Sequence, residues 1–147
     1  MENAKYTSLE DILGQDAADL TAVKTGEFTV EKLGLIPYSG LTHEEYKRCK
    51  KDCVKMTPNG TGGMSTEVDD DKLMMRVIIT AVDKDQRSSF TFASKALLEK
   101  LGVVTADDAM GKLVSPGEIF KWAVEVQNLS GFGPGAKKKM EADVKNS

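Results

Sequence analysis

Leu113-Val-Ser-Pro-Gly-Glu-Ile-Phe-Lys-Trp-Ala-Val-Glu-Val-Gln-Asn-Leu-Ser-Gly-Phe132 reads as one complete helix with its start, its buried face and its stop all spelled out. Ser115 is an N-cap whose hydroxyl can accept from the third helical N–H, and Glu118 stands where it can close a capping box. Pro116 falls at the first helical position, where a missing N–H costs nothing. Gly131 is placed to take the left-handed conformation that ends a helix. Between these signals Ile119, Phe120, Ala123, Val124 and Val126 form a broad apolar face, so the helix packs on something. Nothing in the stretch is a reacting group.

Working outward, the rest of the chain repeats this grammar. Thr42 and Glu45 make a second capping box, opening a helix that should run to about Val54. Asp69-Asp-Asp71 places acidic charge at the start of another helix, to about Val82, complementing its dipole. That helix is apolar at Leu73, Met74, Met75, Val77, Ile78, Ile79, Ala81 and Val82, which is the pattern of a central helix. Shorter helices are expected from Ser94 to Leu101, ended by Gly102, and from Thr105 to Leu113. A further short one should run from Ser8 to Leu13. Phe28, Val30, Leu33, Leu35 and Ile36 alternate enough across Gly26 to Tyr38 to suggest a β-hairpin turning near Glu31-Lys32.

The expected fold is α+β and mainly α: a small N-terminal β-hairpin packed against a bundle of four to five helices. Residues 1–25 read as a flexible lead-in, 26–132 as the folded domain and 133–147 as a flexible charged tail. At 147 residues the chain is long enough for one core. No apolar run approaches the roughly 20 residues of a membrane span, and Met1-Glu-Asn-Ala-Lys5 lacks the basic-then-apolar pattern of a secretion signal. These features point to a cytoplasmic protein.

The net charge of −3 argues against general nucleic-acid binding. Residues 41–66, with five bases to three acids, and 131–147, with four to two, are the basic segments. Cys49 and Cys53 fall four apart on the apolar stripe of their helix with Tyr46 and Met56, and read as reduced core thiols. A zinc site would need more ligands than these and His43. Thr57 to Thr66 reads as a Gly/Pro-rich loop. Its Gly60-Thr-Gly-Gly-Met-Ser-Thr66 lacks the lysine of a phosphate-binding loop. Asp69-Asp-Asp71 and Asp83-Lys-Asp85 lack the spacing of a calcium loop, leaving helix capping for the first and a solvated turn for the second. No Ser or Cys is framed as a nucleophile beside His43. The chain therefore reads as a binding protein, not an enzyme, with no cofactor or metal.

The order of these segments resembles the tail assembly chaperone family of PBSX-type phages and prophages of Gram-positive bacteria. The matching pieces are Leu41-Thr-His-Glu-Glu-Tyr-Lys-Arg48 after a short strand pair, and Asp71-Lys-Leu-Met-Met-Arg-Val-Ile-Ile-Thr-Ala81. Leu97-Leu-Glu-Lys-Leu-Gly-Val103, Ala106-Asp-Asp-Ala-Met-Gly-Lys-Leu113, Pro116-Gly-Glu-Ile-Phe120 and Leu129-Ser-Gly-Phe132 follow in order. The family's aromatic–Pro–acidic segment before the fourth helix has no clear counterpart in Asp85 to Ser94.

The resemblance implies a non-enzymatic chaperone that binds the tape measure protein, a long and largely helical chain, and helps tail tube protein polymerise around it. It further implies action in the host bacterial cytoplasm and absence from the mature virion. Many such chaperones have a second, longer form made by ribosomal frameshifting, and an A-rich codon run at Lys137-Lys-Lys139 would supply a slippery site.

Candidate contact residues are the Met and aromatic positions Met74, Met75, Phe120 and Trp122, because flexible thioethers and large rings suit adaptable binding surfaces. Phe132 and the cationic Lys137, Lys138 and Lys139, beyond a Gly-Pro-Gly joint, are the others. Two alternative readings are a structural virion protein, such as a tail-completion or connector component, and a small helical DNA-binding regulator. Salt-sensitive duplex binding would mark the latter. Oligomeric state stays open.

Overall fold

A computed structural model describes residues 6–131 of the chain. Its elements in order are α1 (Leu9–Leu13), α2 (Ala17–Thr21), β1 (Thr25–Val30), β2 (Gly34–Ser39), α3 (His43–Asp52), β3 (Val54–Pro58), β4 (Met64–Val68), α4 (Asp70–Lys84), α5 (Lys95–Leu101), α6 (Ala106–Leu113) and α7 (Pro116–Ser130). The mainly helical α+β class expected from the sequence is the class observed.

The centre is α4. Leu73, Val77, Ile78, Ile79, Ala81 and Val82 are all buried, so it loses solvent over most of its girth. It packs against α7, β2, α3 and α6. Strands β1 and β2 pair antiparallel, with Phe28 opposite Ile36 and Gly26 opposite Tyr38. Alternation sends Phe28, Val30, Ile36 and Tyr38 inward, where all four are buried. The turn is closed by the Leu33 N–H donating to the Val30 carbonyl (3.1 Å). Gly34 follows at φ +97°, a conformation that other residues adopt only with strain.

Both capping boxes form. The Thr42 N–H donates to Glu45 Oε1 (2.8 Å) and the Glu45 N–H to Thr42 Oγ1 (3.2 Å). The equivalent Ser115 and Glu118 pair closes at 3.0 and 3.3 Å. Gly131 ends α7 at φ +86° and Gly102 ends α5 at +71°, both left-handed as their positions predict.

Three expectations are corrected. Helix α3 stops at Asp52, and the segment expected as a bare loop from Thr57 to Thr66 belongs to a second antiparallel hairpin, with Val54 opposite Val68 and Met56 opposite Thr66. The physical reason lies in Val54, Met56 and Pro58 on one strand and Met64, Thr66 and Val68 on the other, a period of two. The connecting loop is pinned by Asn59, whose Oδ1 accepts from the N–H of Thr61 (3.1 Å) and of Gly63 (3.0 Å). Met56 accordingly stands on a strand, 61% exposed, rather than on a helical stripe with the cysteines. Second, α2 adds a helix within residues 1–25, capped by Asp16, whose side chain accepts the Ala18 N–H.

Third, Asp85 is not a solvated turn residue but buried. Its carboxylate accepts from Ser39 Oγ (2.9 Å) and from the Arg87 backbone N–H (2.9 Å), Nε and Nη2. Arg87 Nη2 also donates to the Gly26 (2.9 Å) and Tyr38 (3.3 Å) carbonyls, so this pair ties the loop after α4 to the first hairpin.

Cys49 and Cys53 are both free and buried. Burial pushes both thiols up from their ordinary range, which starves them of the thiolate that reacts. Neither should react with a thiol-titrating disulfide reagent under native conditions, and both should react once urea unfolds the chain. Rapid native labelling would contradict the packing.

Candidate protein-binding groove

Helix α7 divides its apolar residues between two faces. Trp122, Ala123 and Val126 are buried, with Ile119 half-buried beside them, at the i, i+3, i+4, i+7 spacing of a core stripe. Phe120 and Val124 are also four apart, but turn away from that stripe. Phe120 stays 59% exposed although it is among the largest apolar residues in the chain. The single broad face read from the sequence is therefore two faces, one buried in the core and one partly open to solvent.

The outer face meets the first hairpin and leaves a groove of about 600 Å³. Phe28, Phe120 and Val124 supply its apolar surface, and Glu27, Glu118 and Glu125 its carboxylates. Lys121 is the one cation in the lining. Each wall is held in place. Glu118 Oε2 accepts the Glu31 N–H (2.9 Å), linking the start of α7 to the hairpin turn. That bond and the capping bond from Ser115 hold its carboxyl below the usual range. Tyr38 donates to Glu125 Oε1 (3.3 Å). Its phenol is pushed up to about 12 by burial and by the Glu125 charge, so it remains a donor well beyond neutral pH.

Beneath the groove lies an aromatic cluster. Phe28 stacks on Trp122 with centroids 4.8 Å apart and planes within 8°. Tyr38 and Phe92 approach the same indole at 6.2 Å. Trp122 is fully buried, so it stiffens the floor and touches nothing outside. Of the candidate contact residues, the groove brings in Phe120 alone. Met74 and Met75 are half-buried against the core and do not line it. Phe132, Lys137, Lys138 and Lys139 lie outside the described residues. Sequence reading missed Glu27 and Phe28 as partners of α7, because no local signal says which helix a hairpin will meet.

The chemistry on offer is recognition. An open apolar trough edged by carboxylates suits an amphipathic segment with an apolar stripe and flanking Lys or Arg.

A family profile described as "Phage XkdN-like tail assembly chaperone protein, TAC" matches residues 9–145. The fold is similar to the crystal structure of the protein yqbn, 17% identical, with a TM-score of 0.57 over 88% of this chain and 99% of that one. No curated protein matches the chain.

Proposed function

This chain belongs to the phage XkdN-like tail assembly chaperone family, and from that premise we propose that it holds the tape measure protein through the groove between α7 and the first hairpin. The observation that carries the reading is Phe120, a large ring left 59% exposed between carboxylates on a helix where Ile119, Trp122, Ala123, Val124, Val126 and Leu129 are all buried or half-buried. A long helical client left alone in the host cytoplasm would expose apolar stripes to one another. Covering those stripes reversibly, with weak charge contacts at the rim, keeps the client soluble and lets tail tube protein displace the chaperone. The chaperone then stays out of the finished particle. Binding of this kind needs no reacting group. Lys137, Lys138 and Lys139, with Phe132, would serve as a second contact for acidic stretches of the same client, while Met74, Met75 and Trp122 would support the surface from within.

The test is a binding titration with purified tape measure segments. Phe120→Asp should weaken binding about tenfold or more, since anchors of this kind dominate an interface. Because the ring is largely in water, the melting temperature should hardly move. Phe120→Tyr should bind nearly as the parent does. Unchanged affinity in Phe120→Asp would remove the groove from the reading.

A further inference from the structure

Helix α7 gives way at Gly131, which lies eleven residues past Phe120 and seven past Val124. At about 100° per residue that sets it within about 20° of each around the helix, so the chain leaves α7 on the groove side. Gly131 is left-handed at φ +86°, the conformation that turns a chain off the helix axis. Phe132-Gly-Pro-Gly-Ala-Lys-Lys-Lys-Met140 follows. It opens with turn-forming residues and goes on to three lysines and an adaptable apolar side chain.

The groove has the opposite make-up. Glu27, Glu118 and Glu125 stand against Lys121, around the apolar Phe28, Phe120 and Val124. Two further cations act on these carboxylates: Arg87 pairs with Glu27 (3.4 Å), and Lys32 helps to stabilise the Glu118 charge. Arg87 is itself answered by Asp85 (3.0 Å), and Lys32 has Glu31 beside it in the chain. The groove and its border thus hold five carboxylates to three cations. Phe132 to Met140 carries three cations and no acid, and over Phe132 to Ser147 bases lead acids by four to two.

We propose that Phe132 to Met140 turns back along α7 and fills the groove of its own chain, its lysines against the carboxylates and Met140 against Phe120. The contact itself does not depend on the client. Its role as a guard, filling the groove until a client displaces it, rests on the client reading. Displacement would free Lys137, Lys138 and Lys139 for the second contact assigned to them.

Reach allows the pairings along α7. Glu125, Phe120 and Glu118 lie six, eleven and thirteen residues up the helix from Gly131, about 9, 17 and 20 Å along its axis. Fully extended, the chain from Gly131 carries Lys137 about 20 Å, Lys139 about 26 Å and Met140 about 30 Å. A tether this short holds the segment at about 1 mM relative to the groove, so a weak contact fills it in preference to a second copy at micromolar concentration.

Ala142→Cys carrying a nitroxide reports the contact in the full chain, because the buried Cys49 and Cys53 leave the label to the new thiol. In nuclear magnetic resonance spectra of isotope-labelled protein, the amide signals of Thr29, Phe120 and Val124 should broaden, and should sharpen again at high salt. Lys137→Glu/Lys138→Glu/Lys139→Glu and, separately, Phe120→Ser should each abolish the broadening with circular dichroism unchanged. Phe120 is exposed, so the fold should survive its loss. Groove signals no broader in the parent than in the triple variant overturn the proposal. Broadening that arises only between chains, read by mixing nitroxide-labelled and isotope-labelled copies, overturns it too. Adding a tape measure segment should restore the sharp signals. Broadening that persists beside a bound segment keeps this contact and removes the client from the groove. A segment that binds through Phe120 where the parent shows no broadening does the reverse.

Discussion

Trp122→Ala should destabilise the folded chain by about 3–5 kcal/mol, the range for emptying a large buried aromatic site. Set against a total stability of about 5–15 kcal/mol for a domain, that is enough to leave a sizeable unfolded fraction at ambient temperature. The indole is fully buried and stacked on Phe28 at 4.8 Å, with Tyr38 and Phe92 at its edges. Removing it opens a hole where both strands of the first hairpin meet α7, and two rigid rings cannot collapse to fill it. Trp122→Phe should cost only about 1–2 kcal/mol. The ring stack survives in part, and the indole Nε1–H, which finds no acceptor among the described residues, is no longer buried. Urea unfolding followed by circular dichroism gives both numbers without relying on the removed fluorophore. An Ala variant within about 1 kcal/mol of the parent would mean that the hairpin is not held by this stack. Because Phe28 also lines the groove, client binding should weaken in Trp122→Ala even where the chain stays folded.

How much of this could be read in advance depended on the range of the interaction. The capping boxes at Thr42 and Ser115, the stops at Gly102 and Gly131, and the first hairpin all rest on residues within a few positions of one another, and each was legible. Trp122 and Phe120 lie two apart on one helix, about 200° around it. Nothing local says which of the two faces the core. That choice is made by Phe28, some ninety positions earlier, and the hairpin that carries it. The second hairpin was hidden for a different reason. Its alternation of Val54, Met56 and Pro58 follows Cys49 and Cys53 so closely that a helix and a strand compete for the same residues, and the glycines between the strands read as loop. The candidate groove was therefore half visible: its aromatic ring could be named from sequence, its carboxylate wall on the hairpin could not.

The second large effect concerns Asp85, where sequence gave a surface turn and the structure a buried ionic tie. Asp85→Ala should cost about 2–4 kcal/mol, toward the lower part of the range for breaking a buried charge pair. Arg87 is half in water and can be resolvated, whereas Ser39 would lose its acceptor inside the fold. The carboxyl is lowered from 3.8 to about 2, chiefly by the Arg87 side-chain hydrogen bonds, which outweigh the upward push of burial. A depressed pKa in the folded state means that the charged form is bound more tightly there than in the unfolded chain. Its contribution is thus complete above about pH 4 and is lost as the pH falls toward 2. The parent should lose stability steeply through that window. Asp85→Asn keeps a carbonyl acceptor for Ser39 but has no charge to titrate, so it should start lower at neutral pH and fall less steeply. Glu45 and Glu118 are also held below the usual range, so some slope should remain in the variant. Urea midpoints for parent and Asp85→Asn measured between neutral pH and pH 2 decide the matter. Parallel curves across the acid window would show that Asp85 is not the group holding the first hairpin to the loop after α4.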